Sequence, residues 1–209
     1  MERRDRFLLR LQYILGRAAI VATAPLCFLF IRLMGYRIRD LERIRDKVRL
    51  MRREHEGPWI VCPNHLTMID SLVVSYGMAS LSDHIFRFRQ IPWNLPERKN
   101  FQRNPFLALL CYLLKCLPVD RGGSREGLQR LLEKCCRVLG WRQGLMIFPE
   151  GGRSRTGRVN RESFSYGVGR FVEECRDCRV MLVYLRGHGQ ESYGTIPRFN
   201  ERFTMVVEL

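Results

Sequence analysis

Acidic side chains are scarce in this 209-residue sequence: 21 Asp and Glu stand against 36 Lys and Arg, a formal charge of +15. Such an imbalance speaks about partners rather than fold, and the two anionic candidates are nucleic acid and phospholipid headgroups. A secretory leader with a small-residue cleavage site is also missing. The eight cysteines, most of them inside apolar runs, therefore read as thiols of a reducing compartment and not as a disulfide framework. Cys175 and Cys178 form one close pair with no second pair to complete a zinc site. No uninterrupted apolar stretch reaches the ~20 residues of a spanning helix. Internal repeats and low-complexity linkers are lacking too, and with 46% apolar residues the chain suits one globular domain with a short appendage.

What is present begins with lipid-directed signals. Met1 to Gln12 alternates arginines (Arg3, Arg4, Arg6, Arg10) with Phe7, Leu8, Leu9 and Leu11, which predicts a basic amphipathic helix suited to an anionic membrane surface. Ala18 to Ile31 is apolar but interrupted by Pro25 and bounded by Arg17 and Arg32. It predicts a segment that dips into one leaflet, with a buried core helix, or a full span by tilting and snorkelling arginines, as the alternatives. The charged, helix-forming run Leu41 to Glu56 stops at Gly57-Pro58, so residues 1–56 are expected to be an N-terminal membrane-associating helical segment and 57–209 the main domain.

Within that domain strands and helices alternate. Strands are predicted at Trp59–Cys62, near Ile85–Ile91, at Leu145–Phe148, at Val180–Leu185 and at Phe203–Leu209. Helices are predicted over Leu66–Met78, Asn104–Cys116, a segment capped by Ser124 and ended by Gly140, and Ser163–Glu174. The pattern argues for an α/β fold with helices flanking a mainly parallel sheet.

Chemistry concentrates in three places. In Asn64-His65-Leu66-Thr67-Met68-Ile69-Asp70 a histidine leaves a strand and an aspartate follows five positions on. Inside one helix those side chains would lie about 140° apart, so they meet only if His65 precedes the helix and Asp70 sits about one turn inside. Asp70 then fixes the imidazole tautomer and leaves the other nitrogen to take a proton. No serine or cysteine is placed as a nucleophile, so the simplest chemistry is general-base activation of a substrate hydroxyl. The second place is Phe148-Pro149-Glu150-Gly151-Gly152-Arg153-Ser154-Arg155, at the end of an apolar strand, where glycines admit close backbone approach and Arg153, Arg155 and Arg158 offer charge to a phosphate. The third is Val119-Asp120-Arg121-Gly122-Gly123, an arginine ahead of a helix start.

Together these blocks resemble the glycerol-phosphate and lysophospholipid acyltransferase family. His65 to Asp70 matches its NHxxxxD signature, Phe148 to Gly151 its FPEG signature, and Val119-Asp120-Arg121 its intermediate block, in the family's order. The resemblance covers about Trp59 to Leu185. It implies an O-acyltransferase of the 1-acylglycerol-3-phosphate type in which His65 is the base and Asp70 its partner, without a covalent acyl-enzyme. Asn64, Arg121, Glu150, Gly151 and Arg153 are then the expected substrate-binding residues. The implied acyl donor is acyl-CoA or acyl-carrier protein, and the implied acceptor a lysophospholipid or glycerol-phosphate-like alcohol. No metal or other cofactor is implied. The expected setting is a phospholipid membrane, with the catalytic domain in the cytoplasm and no nucleic-acid partner.

Two departures stand out. Gly152 replaces the threonine that usually follows the glycine of the third block, and Val183-Tyr184-Leu185-Arg186-Gly187 lacks the proline usual in the fourth. The proline-rich segment Pro92 to Lys99 is expected as a lid over the acceptor. Competing readings are an acyltransferase-like protein with a different lipid acceptor, a hydrolase using the same dyad, and a noncatalytic basic membrane adaptor. A nucleic-acid-binding protein is disfavoured, since no helix-turn-helix, zinc or RNA-recognition signature occurs.

Overall fold

Arg3–Leu33 form a single helix, α1, of 31 residues, about 46 Å long at the α-helical rise. This corrects the division into a basic amphipathic helix and a separate, shorter apolar stretch. Arg17 projects from the exposed side, and Pro25 lies inside the helix without ending it, although its missing N–H removes one rung of the ladder. By length and composition α1 could cross a membrane. One face, with Leu9, Gln12, Gly16, Ile20, Ala24, Phe28 and Ile31, is buried. The opposite face carries Ile14, Val21, Leu26, Leu29 and Leu33, all exposed. A helix that is apolar on both faces has more apolar surface than the protein can cover.

The computed structural model describes residues 1–101, 103–120, 122–154, 159, 167–191 and 194–209. After α1 come β1 (Arg37–Ile38), α2 (Leu41–Glu54), β2 (Trp59–Pro63), α3 (Asp70–Met78), α4 (Leu81–Phe86), β3 (Trp93–Asn94), α5 (Pro105–Leu113), α6 (Arg125–Gly140), β4 (Leu145–Met146), α7 (Gly167–Glu174), β5 (Arg179–Gly187) and β6 (Arg202–Glu208). The six strands form one sheet in the order β1-β6-β5-β2-β4-β3. Every neighbouring pair is parallel except β5 with β6. The expected α/β class, with a mainly parallel sheet between helices, is what is found.

β2 lies inside the sheet, and its five residues are all buried. Its alternation sends Trp59 and Val61 to a core shared with Val48 and Met51 of α2 and Val73, Val74 and Met78 of α3. Ile60 and Cys62 point into a second core with Val138 and Leu139 of α6 and Phe171 of α7. A strand covered on both faces must be apolar throughout. Residues 35–56, grouped with the N-terminal segment on sequence grounds, supply β1, paired to β6, and α2, packed on α3 and β6.

Two further expectations are corrected. The strand near Ile85–Ile91 is instead α4 followed by a 3-10 turn at Phe88–Gln90. The alternation of Phe86 and Phe88 with Arg87 and Arg89 imitates a strand, but Ser80 and Asp83 form a complete capping box that starts a helix. The segment expected as a lid is tied into the sheet: Trp93 is fully buried, its indole N–H donates to Gln143 Oε1 at 2.9 Å, and Trp93-Asn94 pairs with β4.

α1 is seated on α5. The Gln12 side chain donates to the carbonyls of Tyr112 (3.0 Å) and Cys116 (2.9 Å). At Gly16 the helices are so close that a Cβ would lie 2.6 Å from the Leu113 carbonyl oxygen. Gly16→Val is therefore expected to cost about 1–3 kcal/mol through overpacking, read as a lower urea midpoint. An unchanged midpoint would show that this contact does not hold α1 in place.

Candidate active site

The site lies beyond the carboxyl end of β2, where parallel α/β sheets leave room for ligands. Asn64 is held to the neighbouring strand: its N–H donates to the Val183 carbonyl at 3.2 Å, its side-chain amide donates to the Leu185 carbonyl at 2.9 Å, and its Oδ1 accepts from Leu185 N–H at 2.7 Å. Asn64 thus continues the β2 to β5 ladder past Pro63, and its amide is engaged with backbone rather than with the cavity. A hydrophobic side chain there would leave buried Leu185 groups without partners.

His65 follows, clamped on both backbone sides by the loop after β4. Its N–H donates to Glu150 Oε1 at 2.9 Å, and its carbonyl accepts from Ser154 N–H at 2.8 Å. Phe148 covers the imidazole, with ring centroids 4.2 Å apart and planes 31° apart. The loop turns tightly enough for Gly151 N–H to reach the Phe148 carbonyl at 3.1 Å. Gly151 has φ +63°, the left-handed region in which a side chain is strained. Its glycine is thereby explained by the turn that brings Phe148 and Glu150 onto His65.

Asp70 is the first residue of α3, earlier than the position one turn inside that spacing suggested, and only 3% exposed. Residues 66–69 make the intervening turn. The Asp70 Oδ2 accepts from Leu66 N–H at 2.5 Å and Thr67 N–H at 2.7 Å and lies 3.1 Å from His65 Nδ1, while the Thr67 hydroxyl donates to Oδ1. A carboxylate offers only acceptors to these donors, so Nδ1 carries the proton of the neutral imidazole and Nε2 has the lone pair. Thr67 escaped the sequence reading as a site residue. The signal was there, because Thr-x-x-Asp has the spacing of a capping box.

A cavity of about 600 Å³ opens beside this dyad, within the ordinary range of ligand pockets. His65, Gly151 and Arg153 reach its wall, and the rest is largely apolar: Ile20 and Phe28 from α1, Leu107 and Leu110 from α5, Leu131 from α6 and Phe171 from α7. Arg153 also donates to the Gly194 carbonyl at 3.3 Å. Of the residues expected at the site, the structure brings His65, Asp70, Glu150, Gly151 and Arg153 together. Arg121, Arg155 and Arg158 lie outside the described residues.

The three remaining histidines have other surroundings: His55 packs edge-on against Trp59, with ring centroids 5.4 Å apart. His84 is buried between the Ser75 hydroxyl (3.0 Å) and the Ser80 carbonyl (2.8 Å), and desolvation there lowers its pKa. His188 contacts Thr204 at 3.0 Å.

Lys115 is another residue that composition did not flag. It is 1% exposed with φ +59°, it donates to the Phe88 (3.0 Å) and Ile91 (2.7 Å) carbonyls, and its ammonium lies 4.6 Å from the Phe88 ring centroid. Burial pushes its pKa well below the usual lysine value, helped by the charges of Arg52 and Arg89.

A comparison with curated proteins finds no match. A family model described as Acyltransferase matches residues 35–186, a span that takes in the dyad, the Phe148 to Ser154 loop, β1 to β4 and all but the last residue of β5, and the chain belongs to that acyltransferase family.

Proposed function

We propose that this acyltransferase moves a fatty acyl group from a thioester of CoA or acyl-carrier protein to the hydroxyl of a lysophospholipid or glycerol-phosphate-like acceptor at a membrane surface. The observation that carries the reading is His65, oriented by Asp70 on the wall of a largely apolar cavity. In the proposed step Nε2 takes the proton of the acceptor hydroxyl as its oxygen attacks the thioester carbonyl. The tetrahedral intermediate then collapses, the carbon–sulfur bond breaks, and the imidazolium returns the proton to the departing thiolate. Asp70 supports the imidazolium that forms in between. The acyl chain fits the apolar part of the cavity, and Arg153 at its rim suits an acceptor phosphate.

Membrane attachment follows from the same surface. Between Arg17 and Arg32 the outward side of α1 is apolar, and the adjacent α5 adds exposed Phe106 and Leu109. Embedding these side chains in one leaflet would bring the cavity wall formed by α1 and α5 next to lipid substrates.

With labelled acyl-CoA and acyl-carrier protein offered to a panel of lysophospholipids, glycerol 3-phosphate and nonphosphorylated alcohols, His65→Ala is expected to lower kcat by about 10²–10⁴-fold. Asp70→Asn should also lose rate through misorientation of the ring, and Arg153→Gln should chiefly raise KM for phosphate-bearing acceptors. Full turnover by folded His65→Ala would reject the base assignment, and thioester loss independent of any acceptor would favour hydrolysis. Separately, Ile14→Glu with Val21→Glu is expected to release the protein from floated liposomes. Unchanged flotation would mean that this face of α1 is not the anchor.

A further inference from the structure

The end of the sheet opposite His65 carries a second cavity, of about 460 Å³, with six arginines on its wall: Arg49, Arg52, Arg53, Arg87, Arg89 and Arg142. They come from three separate places in the chain. Arg49, Arg52 and Arg53 lie in the last two turns of α2, Arg87 and Arg89 follow α4, and Arg142 follows α6. Trp59 at the start of β2 and Gly144 just before β4 also line it. Neither His65 nor Gly151 nor Arg153 lines it, and about 20 Å of extended chain separates Trp59 from His65; Pro92 borders both this cavity and the one beside His65.

Its charge is poorly balanced. Among the described residues Glu56 is the one carboxylate on the wall. Behind it, Asp83 serves Arg87 at 3.4 Å and Arg49 at 3.7 Å, and Asp46 holds Arg49 at 2.5 Å. Arg89 donates to the Trp141 carbonyl at 2.8 Å. Among the described residues Arg52, Arg53 and Arg142 make no ion pair. Burial, with the neighbouring charge of Arg87, lowers the Arg52 pKa to about 10 even against the attraction of Asp83. Arg53, Arg87, Arg89 and Arg142 are exposed and Arg49 and Arg52 half-buried, so the cavity presents an excess of positive charge to solvent that attracts anions.

Arg142 adds a separate observation. It sits just past the end of α6 with φ +56°, in the left-handed position that helix ends usually give to glycine. Its amide closes the turn onto the Leu139 carbonyl at 2.7 Å, a bond glycine would make without strain. The backbone therefore favours glycine, yet the position that lines the cavity is an arginine.

We propose that this arginine-lined cavity is a second ligand site of the enzyme, one that recognises a multiply charged phosphate group. Arginines brought to one cavity from three segments suit the several oxygens of a diphosphate or of adjacent monophosphates. Such a group occurs on soluble phosphate compounds and on polyphosphorylated lipid headgroups, and the two are separable by experiment.

The full-length protein is titrated with inorganic pyrophosphate. In parallel it is floated with phosphatidylcholine vesicles with and without phosphatidylinositol 4,5-bisphosphate, taking the increment due to the phosphoinositide. Arg52→Gln/Arg142→Gln is expected to weaken whichever interaction occurs by at least tenfold, whereas Arg130→Gln/Arg137→Gln, an equal charge loss on the exposed face of α6, leaves it nearly unchanged. Saturable pyrophosphate binding without a vesicle increment assigns the site to a soluble phosphate, and an increment without pyrophosphate binding assigns it to a headgroup. Arg142→Gly guards against misfolding, because it relieves the left-handed backbone, so its thermal midpoint should hold or rise while binding falls. Equal binding by wild type and Arg52→Gln/Arg142→Gln in both arms would overturn the proposal. So would binding abolished by Arg153→Gln, which would place the anion at the reaction site instead.

Discussion

A single buried carboxylate organises this site. Asp70 gathers two backbone N–H groups, the Thr67 hydroxyl and the His65 imidazole, so the turn between β2 and α3 and the direction of the ring are set together. Charge-assisted bonds of this kind are stronger than neutral ones, and burial removes the water that would compete for them. Because the carboxylate stands at the start of α3, the partial positive charge of the helix terminus also favours it. The imidazole is thereby preorganised before any substrate arrives.

The rest of the fold holds that turn against the loop after β4. Asn64 locks the end of β2 to β5, and Glu150 and Ser154 grip the His65 backbone from either side. A rigid sheet end on one side and a glycine-hinged turn on the other leave the histidine one position. Around it α1, α5 and α6 build apolar walls. α1 therefore has two roles in the proposed account: its inner face shapes the cavity, and its outer face meets lipid. In that account, proton transfer and lipid access come from neighbouring surfaces of one set of elements.

Much of this could be read from the residues. The His65 and Asp70 spacing required a histidine outside the helix, and the strand-to-turn transition at Phe148 placed a second loop at the same sheet end. Period and caps located α6 through Ser124, whose hydroxyl does accept from Gly127 N–H. The failures have physical causes. Short strands such as Trp93-Asn94 carry too few residues to show a period, and they form because sheet neighbours supply their partners. Phe86 and Phe88 alternate like a strand although one is exposed and the other buried around a helix end. Pro25 suggested a break that packing against α5 and the surrounding helices overrides. The pairing of the Asn64 amide with Leu185, 121 residues away in sequence, has no local signal at all, and neither does the burial of Lys115 among aromatic rings.

The central claim is direct transfer from thioester to alcohol with His65 as base and no acyl group resting on the protein. Rapid-quench single-turnover analysis with a labelled acyl thioester and a lysophospholipid acceptor tests it most directly, with intact-protein mass measured at each time. The account predicts that label passes from thioester to lipid product while the protein mass stays unchanged throughout. A protein species heavier by one acyl group, formed and consumed at the rate of turnover, would contradict it.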